Sequence, residues 1–297
     1  MSMTRVILLL FVSLSLAACW PFGGKHGDDE QKTTEQMLYR SAQSSLRSAN
    51  YDDAIKKLQK LEARFPFGRY AEQAQLELIY ANYMSYKMDA ATSAADRFIR
   101  LHPQHPNVDY AYYMKGLAAF NENRGLLDRF SISDISTRDP TASRRAFVDF
   151  SELIERYPSS QYAPDARQRM VYLRNLLAQY EIYVARFYMR RGAYVAAANR
   201  ANNVVEHYSQ SQSTADALAI LVEANWRLGL PDASHRALQV LALNDPDYPA
   251  FDGAGHFVFK QQVQNRNRSW LNLMTFGLFD RPQVPPPIQI DASAGAG

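Results

Sequence analysis

The chain has 297 residues, 47% of them hydrophobic and 21% charged, with a formal net charge of +3. That length supports one large domain or two ordinary ones, and the composition is that of a globular protein, which excludes a disordered chain. The small net charge gives no argument for nucleic acid, and a single cysteine, Cys19, excludes an internal disulfide.

The N-terminus carries one positive charge, Arg5, followed by thirteen uncharged residues, Val6 to Ala18. This is the three-part plan of a secretory signal, and it is short of the roughly 20 residues that a spanning helix needs. It ends on Leu16-Ala17-Ala18-Cys19, which looks like the lipobox of bacterial lipoproteins. A buried structural cysteine, the usual fate of a free thiol, fits poorly at the end of an apolar signal. The reading is therefore a lipoprotein signal peptide over 1–18, lipidation of Cys19, and a flexible tether over 19–33. Acyl chains on Cys19 give an anchor that stays in the membrane, since each buried CH₂ contributes about 0.8 kcal/mol. Trp20, where the known sorting rule would read Asp, points to the outer membrane.

Helical periodicity begins after Thr33–Gln36, a Thr-x-x-Gln capping-box pattern. Leu38, Ala42 and Leu46 recur at helical spacing, Asn50 interrupts, and Ala54, Leu58 and Leu61 share the next helical face. Pro66 stops that helix. The unit then recurs: Ala54, Ala91 and Ala146 each lie twelve residues before a proline, namely Pro66, Pro103 and Pro158. Two degenerate copies follow, Ala197 with Ser209 and Ala233 with Pro246, the latter one place late. A small residue, then larger apolar ones four and seven further on, then proline, is the tail of a tetratricopeptide repeat. The expected fold is all-α, a superhelical solenoid of about five helix pairs over 34–250; an ordinary helical bundle with chance spacing is the alternative. Helix pairs of this kind bury their apolar faces by stacking on neighbours.

The alanine slots are 37, 55, 51 and 36 residues apart. The first excess predicts a long ordered loop over 121–143, and long loops are often functional. The second predicts a long helix over 164–191, with Pro164 in its first turn and Gly192 at its C-terminal end. Residues 251–297 form a C-terminal extension. Within it Trp270 to Pro282 is too short to cross a bilayer, so it docks on the last repeat or lies on lipid, and the tail from 283 is low-complexity.

No catalytic constellation emerges. The patterns HExxH, GxSxG, Walker and GxGxxG are absent. His102 and His105 flank a helix stop without acidic partners and read as loop residues, not metal ligands. Arg144-Arg145 and Arg190-Arg191 are mixed with acids and read as solvated helix faces. The expectation is a binding protein: not an enzyme, with no cofactor, no metal and no nucleic acid. Eighteen tyrosines supply contact area, several of them in the first repeats.

Several stretches together carry a family resemblance: the lipobox, RFPFGRY (64–70), DRFIRLHPQHPN (96–107), TRDP (137–140), YPSSQYAPDA (157–166) and RGAYVAAANR (191–200). In this order they resemble the BamD/ComL outer-membrane lipoproteins, from about Cys19 to Ala242. The resemblance implies a component of the β-barrel assembly machine, anchored on the periplasmic side of the outer membrane. It implies that C-terminal repeats dock on the periplasmic domain of BamA nearest its barrel, with Arg200 matching the family position that pairs with a BamA acid. It also implies contact with BamC and other lipoproteins of the machine. N-terminal repeats would hold C-terminal signals of unfolded outer-membrane proteins, with Tyr70, Asn82, Tyr83 and Tyr86 near that groove. The older ComL name keeps a second reading open, a scaffold for peptidoglycan enzymes or DNA uptake. A periplasmic hydrolase would need a nucleophile or carboxylate cluster that the sequence lacks.

Overall fold

The structure, a computed structural model, describes residues 34–122, 139–252 and 254–259. Among these residues there are ten helices and no strand beyond one isolated bridge. They are α1 (Glu35–Arg47), α2 (Tyr51–Arg64), α3 (Ala71–Met84), α4 (Met88–Leu101) and α5 (Val108–Asn121). After residues 123–138 come α6 (Thr141–Arg156), α7 (Ala163–Arg190), α8 (Tyr194–His207), α9 (Thr214–Arg227) and α10 (Pro231–Asn244). The fold is all-α and built of tetratricopeptide helix pairs. The chain divides into two compact units, Met1–Ala94 and Ala95–Gly297.

One local program builds the second helix of every pair, and it is visible in the hydrogen bonds. Each such helix ends on a backbone N–H that reaches four residues back: Phe65 to Leu61, His102 to Phe98, Tyr157 to Leu153, Tyr208 to Val204 and Asp245 to Leu241, all at 2.8 Å. The five accepting residues are fully buried. Counting back seven residues from each gives the small-residue slot: Ala54, Ala91, Ala146, Ala197 and Ser234, all 0% exposed. The fifth slot is therefore Ser234, not Ala233, which is only half-buried. Measured from Ser234, the spacing to Pro246 is the same twelve residues as elsewhere. A serine fits there because its hydroxyl donates to the Val222 carbonyl at 2.8 Å, so no polar atom is stranded.

The turn within a pair obeys a second rule. In four of the five pairs the backbone five residues before the slot is left-handed: Ala49 (φ 56°), Tyr86 (φ 58°), Gly192 (φ 71°) and Gly229 (φ 74°); before Ala146 that place is Thr141, already in α6. The next N–H then reaches back to close the helix, as from Lys87 to Asn82 at 2.9 Å and from Leu230 to Asn225 at 3.0 Å. Asn50 is not the left-handed residue; it caps α2 by accepting from the Asp53 N–H. The cap of α1 is likewise Thr34, which accepts from the Met37 N–H at 3.3 Å; Thr33 lies outside the described residues.

In the first unit α1, α2 and α3 share a core of Leu38, Ala42, Ile55, Leu58, Leu61 and Leu78. In the second, Gly116 of α5 receives the ring of Phe150 from α6; a Cβ on Gly116 would lie 2.6 Å from that ring. Residues 141–143, expected in the long loop, are the first turn of α6, and Pro140 precedes them as its cap. Helix α7 runs 28 residues because it packs on α6 with its first part and on α8 and α9 with its later part. The C-terminal chain continues in the core past residue 250: Tyr248, Ala250, Phe257 and Phe259 pack with α9 and α10. Phe251 and Phe257 pair across a turn held by the Asp252 carboxylate, which accepts from the Ala254 and His256 N–H groups. A final helix pair has an apolar face with no successor, and this segment covers part of it.

Candidate functional site: a braced arginine pair and a tyrosine face

Arg200 lies on α8 and is not a free cation. Its Nη1 donates to Glu181 Oε2 of α7 at 3.0 Å. The other oxygen, Oε1, accepts from Arg144 Nη2 of α6 at 2.9 Å. Glu181 is 1% exposed, while the Arg144 and Arg200 side chains are 47% and 42% exposed. The carboxylate is thus inside and the two guanidinium groups stand at the surface. The bond to Glu181 holds the Arg200 guanidinium above its ordinary range. Burial pushes the ionisation of the nearby Tyr208 up, and the charge of Arg144 opposes that shift. Arg144 does not sit on a merely solvated face, as its sequence context indicated. The readable signal was Glu181 itself, a charged residue within the buried row Leu173, Leu177, Ala178, Ile182 and Ala185 of α7.

The four tyrosine-groove candidates separate. Tyr86 is 61% exposed and holds its left-handed turn with a bulky side chain, a conformation that disfavours any Cβ. Tyr83 is half-buried. Tyr70 stacks on Tyr39 of α1, with centroids 4.4 Å apart and planes at 12°, and its N–H donates to Glu35. Asn82 is 4% exposed and spends its amide N–H on the Leu78 carbonyl at 2.8 Å. An amide so placed braces its own helix and does not face an open groove. Phe67, between Pro66 and Gly68, is fully exposed at the α2–α3 turn, an aromatic tip that periodicity does not reveal.

The second unit also holds an open cleft bounded by Arg186, Arg190, Asp216, Ile220, Tyr248 and Phe257, among others. Its acid is satisfied, since Asp216 accepts from Arg186 at 2.7 Å and from the Tyr248 hydroxyl at 2.6 Å. His102 and His105 pack their rings against Phe98 at 5.0 and 5.2 Å. Among the described residues no group of three His, Cys, Asp or Glu is placed to hold a metal ion, and no helix is long and apolar enough to cross a membrane. Cys19 and Trp270–Pro282 lie outside the described residues.

Known proteins resemble this chain over most of its length. Residues 31–241 match the YfiO family, described as an outer membrane lipoprotein. A protein of Neisseria meningitidis serogroup A, named outer membrane protein assembly factor BamD, is 43% identical over 83% of this chain and 93% of its own. Proteins of the same name from Xylella fastidiosa (strain 9a5c) and Vibrio cholerae are 41% and 42% identical, over 83% and 70% of this chain and 84% and 86% of theirs. Among solved structures, a tetratricopeptide repeat protein from Parabacteroides merdae superposes with a TM-score of 0.34 at 13% identity, covering 72% of this chain and 68% of that one.

Proposed function

From the premise that the chain belongs to the YfiO outer membrane lipoprotein family, we propose that it is a lipid-anchored, non-catalytic component of the outer-membrane β-barrel assembly machinery. The observation that carries this reading is the 43% identity, over nearly the full length of the relative, to a protein named as an outer membrane assembly factor. Cys19 takes the lipid and holds the repeats on the periplasmic face of the outer membrane. The C-terminal repeats bind the periplasmic domain of BamA, with Arg200 at the contact, while BamC and other lipoproteins of the machine are further partners. The first repeats receive C-terminal segments of unfolded barrel proteins. There the exposed Tyr86 and half-buried Tyr83 offer ring surface, with Tyr70 packed beside Tyr39 and Asn82 behind them.

The half-exposed Arg200 supports the BamA contact, since a guanidinium recognises a carboxylate through two parallel bonds. The test is co-purification from detergent-solubilised membranes. The wild-type chain brings BamA with it, and Arg200→Glu recovers far less while remaining folded. Equal recovery by a stably folded Arg200→Glu chain would overturn the interface. Sedimentation with cell-wall sacculi in the absence of BamA would overturn the whole reading.

A further inference from the structure

Two arginines from different helices converge on one buried glutamate. Glu181 uses both its oxygens, one for Arg144 and one for Arg200. Two half-exposed cations thus share one hidden anion, and the exposed carboxylate of Asp139 also lies within electrostatic reach of Arg144. A guanidinium carries five N–H donors. One from each arginine goes to Glu181, so each half-exposed arm keeps further donors that the carboxylate does not use. The separation of the arms is bounded by the width of one carboxylate and two hydrogen bonds. Their torsions are restrained by a partner that is 1% exposed and sits in the buried row of α7 with Leu177, Ala178 and Ile182. Preorganised donors lose little freedom on binding, which is why a fixed fork binds more tightly than two free side chains.

We propose that Arg144, Glu181 and Arg200 form a two-armed site for a carboxylate side chain of a partner protein, with Arg144 as the second arm and Glu181 as the residue that positions both. The occupant is an acid because two half-exposed guanidinium groups stand over a hidden carboxylate, and their donor geometry is planar and double. The proposal rests on the BamA contact proposed above and adds to it a second recognition residue and the brace beneath.

The sign of one substitution separates the possibilities. Glu181→Gln removes a buried negative charge and makes the surface more positive. If the arginines act as loose charges, an acidic partner then binds more tightly. If Glu181 positions them, the partner binds about tenfold more weakly, because a neutral amide cannot accept from both arms. The experiment measures affinity of the full-length lipidated chain in detergent for the purified BamA periplasmic region, across a salt series. Arg144→Gln and Arg200→Gln each weaken binding by a similar factor and flatten its salt dependence. Unchanged affinity in Arg144→Gln, or tighter binding in Glu181→Gln, overturns the proposal. Should Glu181→Gln fail to fold, Arg144→Gln decides alone. A second arm needs no protein partner: the side-chain Nε–Hε signals of both arginines are followed by NMR as acetate replaces chloride at fixed ionic strength. Saturable shifts at both, lost in Glu181→Gln, support the site even if BamA does not bind, in which case only the partner reading falls. Normal BamA binding by Arg144→Gln, with no acetate shift, sinks the site and leaves that reading standing.

Discussion

The two compact units use the same aromatic device and differ in how they handle its charge. In the first, Tyr70 precedes α3 and stacks on Tyr39 of α1, and the Tyr39 hydroxyl donates to Glu77 at 2.8 Å. In the second, Tyr162 precedes α7 and stacks on Tyr113 of α5 at 4.7 Å, and the Tyr113 hydroxyl donates to Asp165 at 2.7 Å. Burial raises both phenols, Tyr113 to about 12 and Tyr39 further. In the second unit the acid has a cation, Arg169, one helical turn away. Among the described residues Glu77 has Tyr39 and Gln73 as hydrogen-bond partners, and its Oε2 is buried without one. Packing is thus shared and neutralisation is not. The same contrast appears at the helix-pair turns, where the first unit sets Ala49 and Tyr86 in left-handed backbone and the second uses Gly192 and Gly229. The second unit is built for stability at these points, whereas the first tolerates polar and backbone strain around Glu77 and Tyr86.

The largest expected effect comes from breaking a matched charge in the second unit. Lys115 bridges Asp96 at 2.9 Å and Asp149 at 3.2 Å, and Asp149 is nearly fully buried. Lys115→Met leaves that carboxylate uncompensated and costs about 3 kcal/mol by chemical denaturation at pH 7. Burial already pushes the Asp149 carboxyl up despite Lys115. A raised acid favours the folded state below its unfolded value and loses that benefit as pH rises through its folded value. The cost of Lys115→Met should therefore shrink between pH 7 and pH 4, and an equal cost at both would contradict the assignment.

Next in size is the turn exchange. Gly192→Tyr should cost about 1–2 kcal/mol, because a Cβ enters left-handed backbone. The mirror change, Tyr86→Gly, should raise stability by about 0.5 kcal/mol, relief of strain being partly offset by a freer unfolded chain. If Tyr86 serves clients, the more stable variant also loses crosslinks to unfolded barrel segments.

Arg169→Met should cost about 1 kcal/mol, a small figure because the pair with Asp165 is partly open to solvent. The Asp165 carboxyl is pushed up by burial but held below its usual value overall by bonds from Arg169 and Tyr113. A depressed acid contributes stability above its unfolded value and loses it as pH falls through its folded value. The acid-side decline near pH 4 should be shallower in Arg169→Met, measured by melting across pH. The smallest change is Glu77→Gln, expected within about 0.5 kcal/mol of wild type or slightly stabilising at pH 7, since it removes a charge that has no cation. A large loss there would show that the first unit depends on Glu77 as the second depends on Asp165.

The arginine site was half legible in sequence. Arg200 could be picked out only through family resemblance, and Arg144 looked like part of a solvated basic pair. What joins them is Glu181, a charge on a buried helical stripe whose partners lie 37 and 19 residues away. No local pattern specifies which cations meet it. Asn82 shows another limit of the sequence: that its amide gives one N–H to the Leu78 carbonyl of its own helix is visible only in the structure.

By itself the sequence determined the repeat. Small slot, apolar residues four and seven later and a helix stop at twelve are local constraints, because helix periodicity and proline's missing N–H act within one turn or two. That is why five copies could be found, and why the fifth was displaced by one: alanine was expected where serine also fits. Only the tertiary structure decided that the small residue is Ser234, since its hydroxyl needs the Val222 carbonyl of another helix. Tertiary packing likewise carried the C-terminal chain to Phe259, where an uncovered apolar face needed covering, and turned two separate arginines into a pair by placing one carboxylate between them.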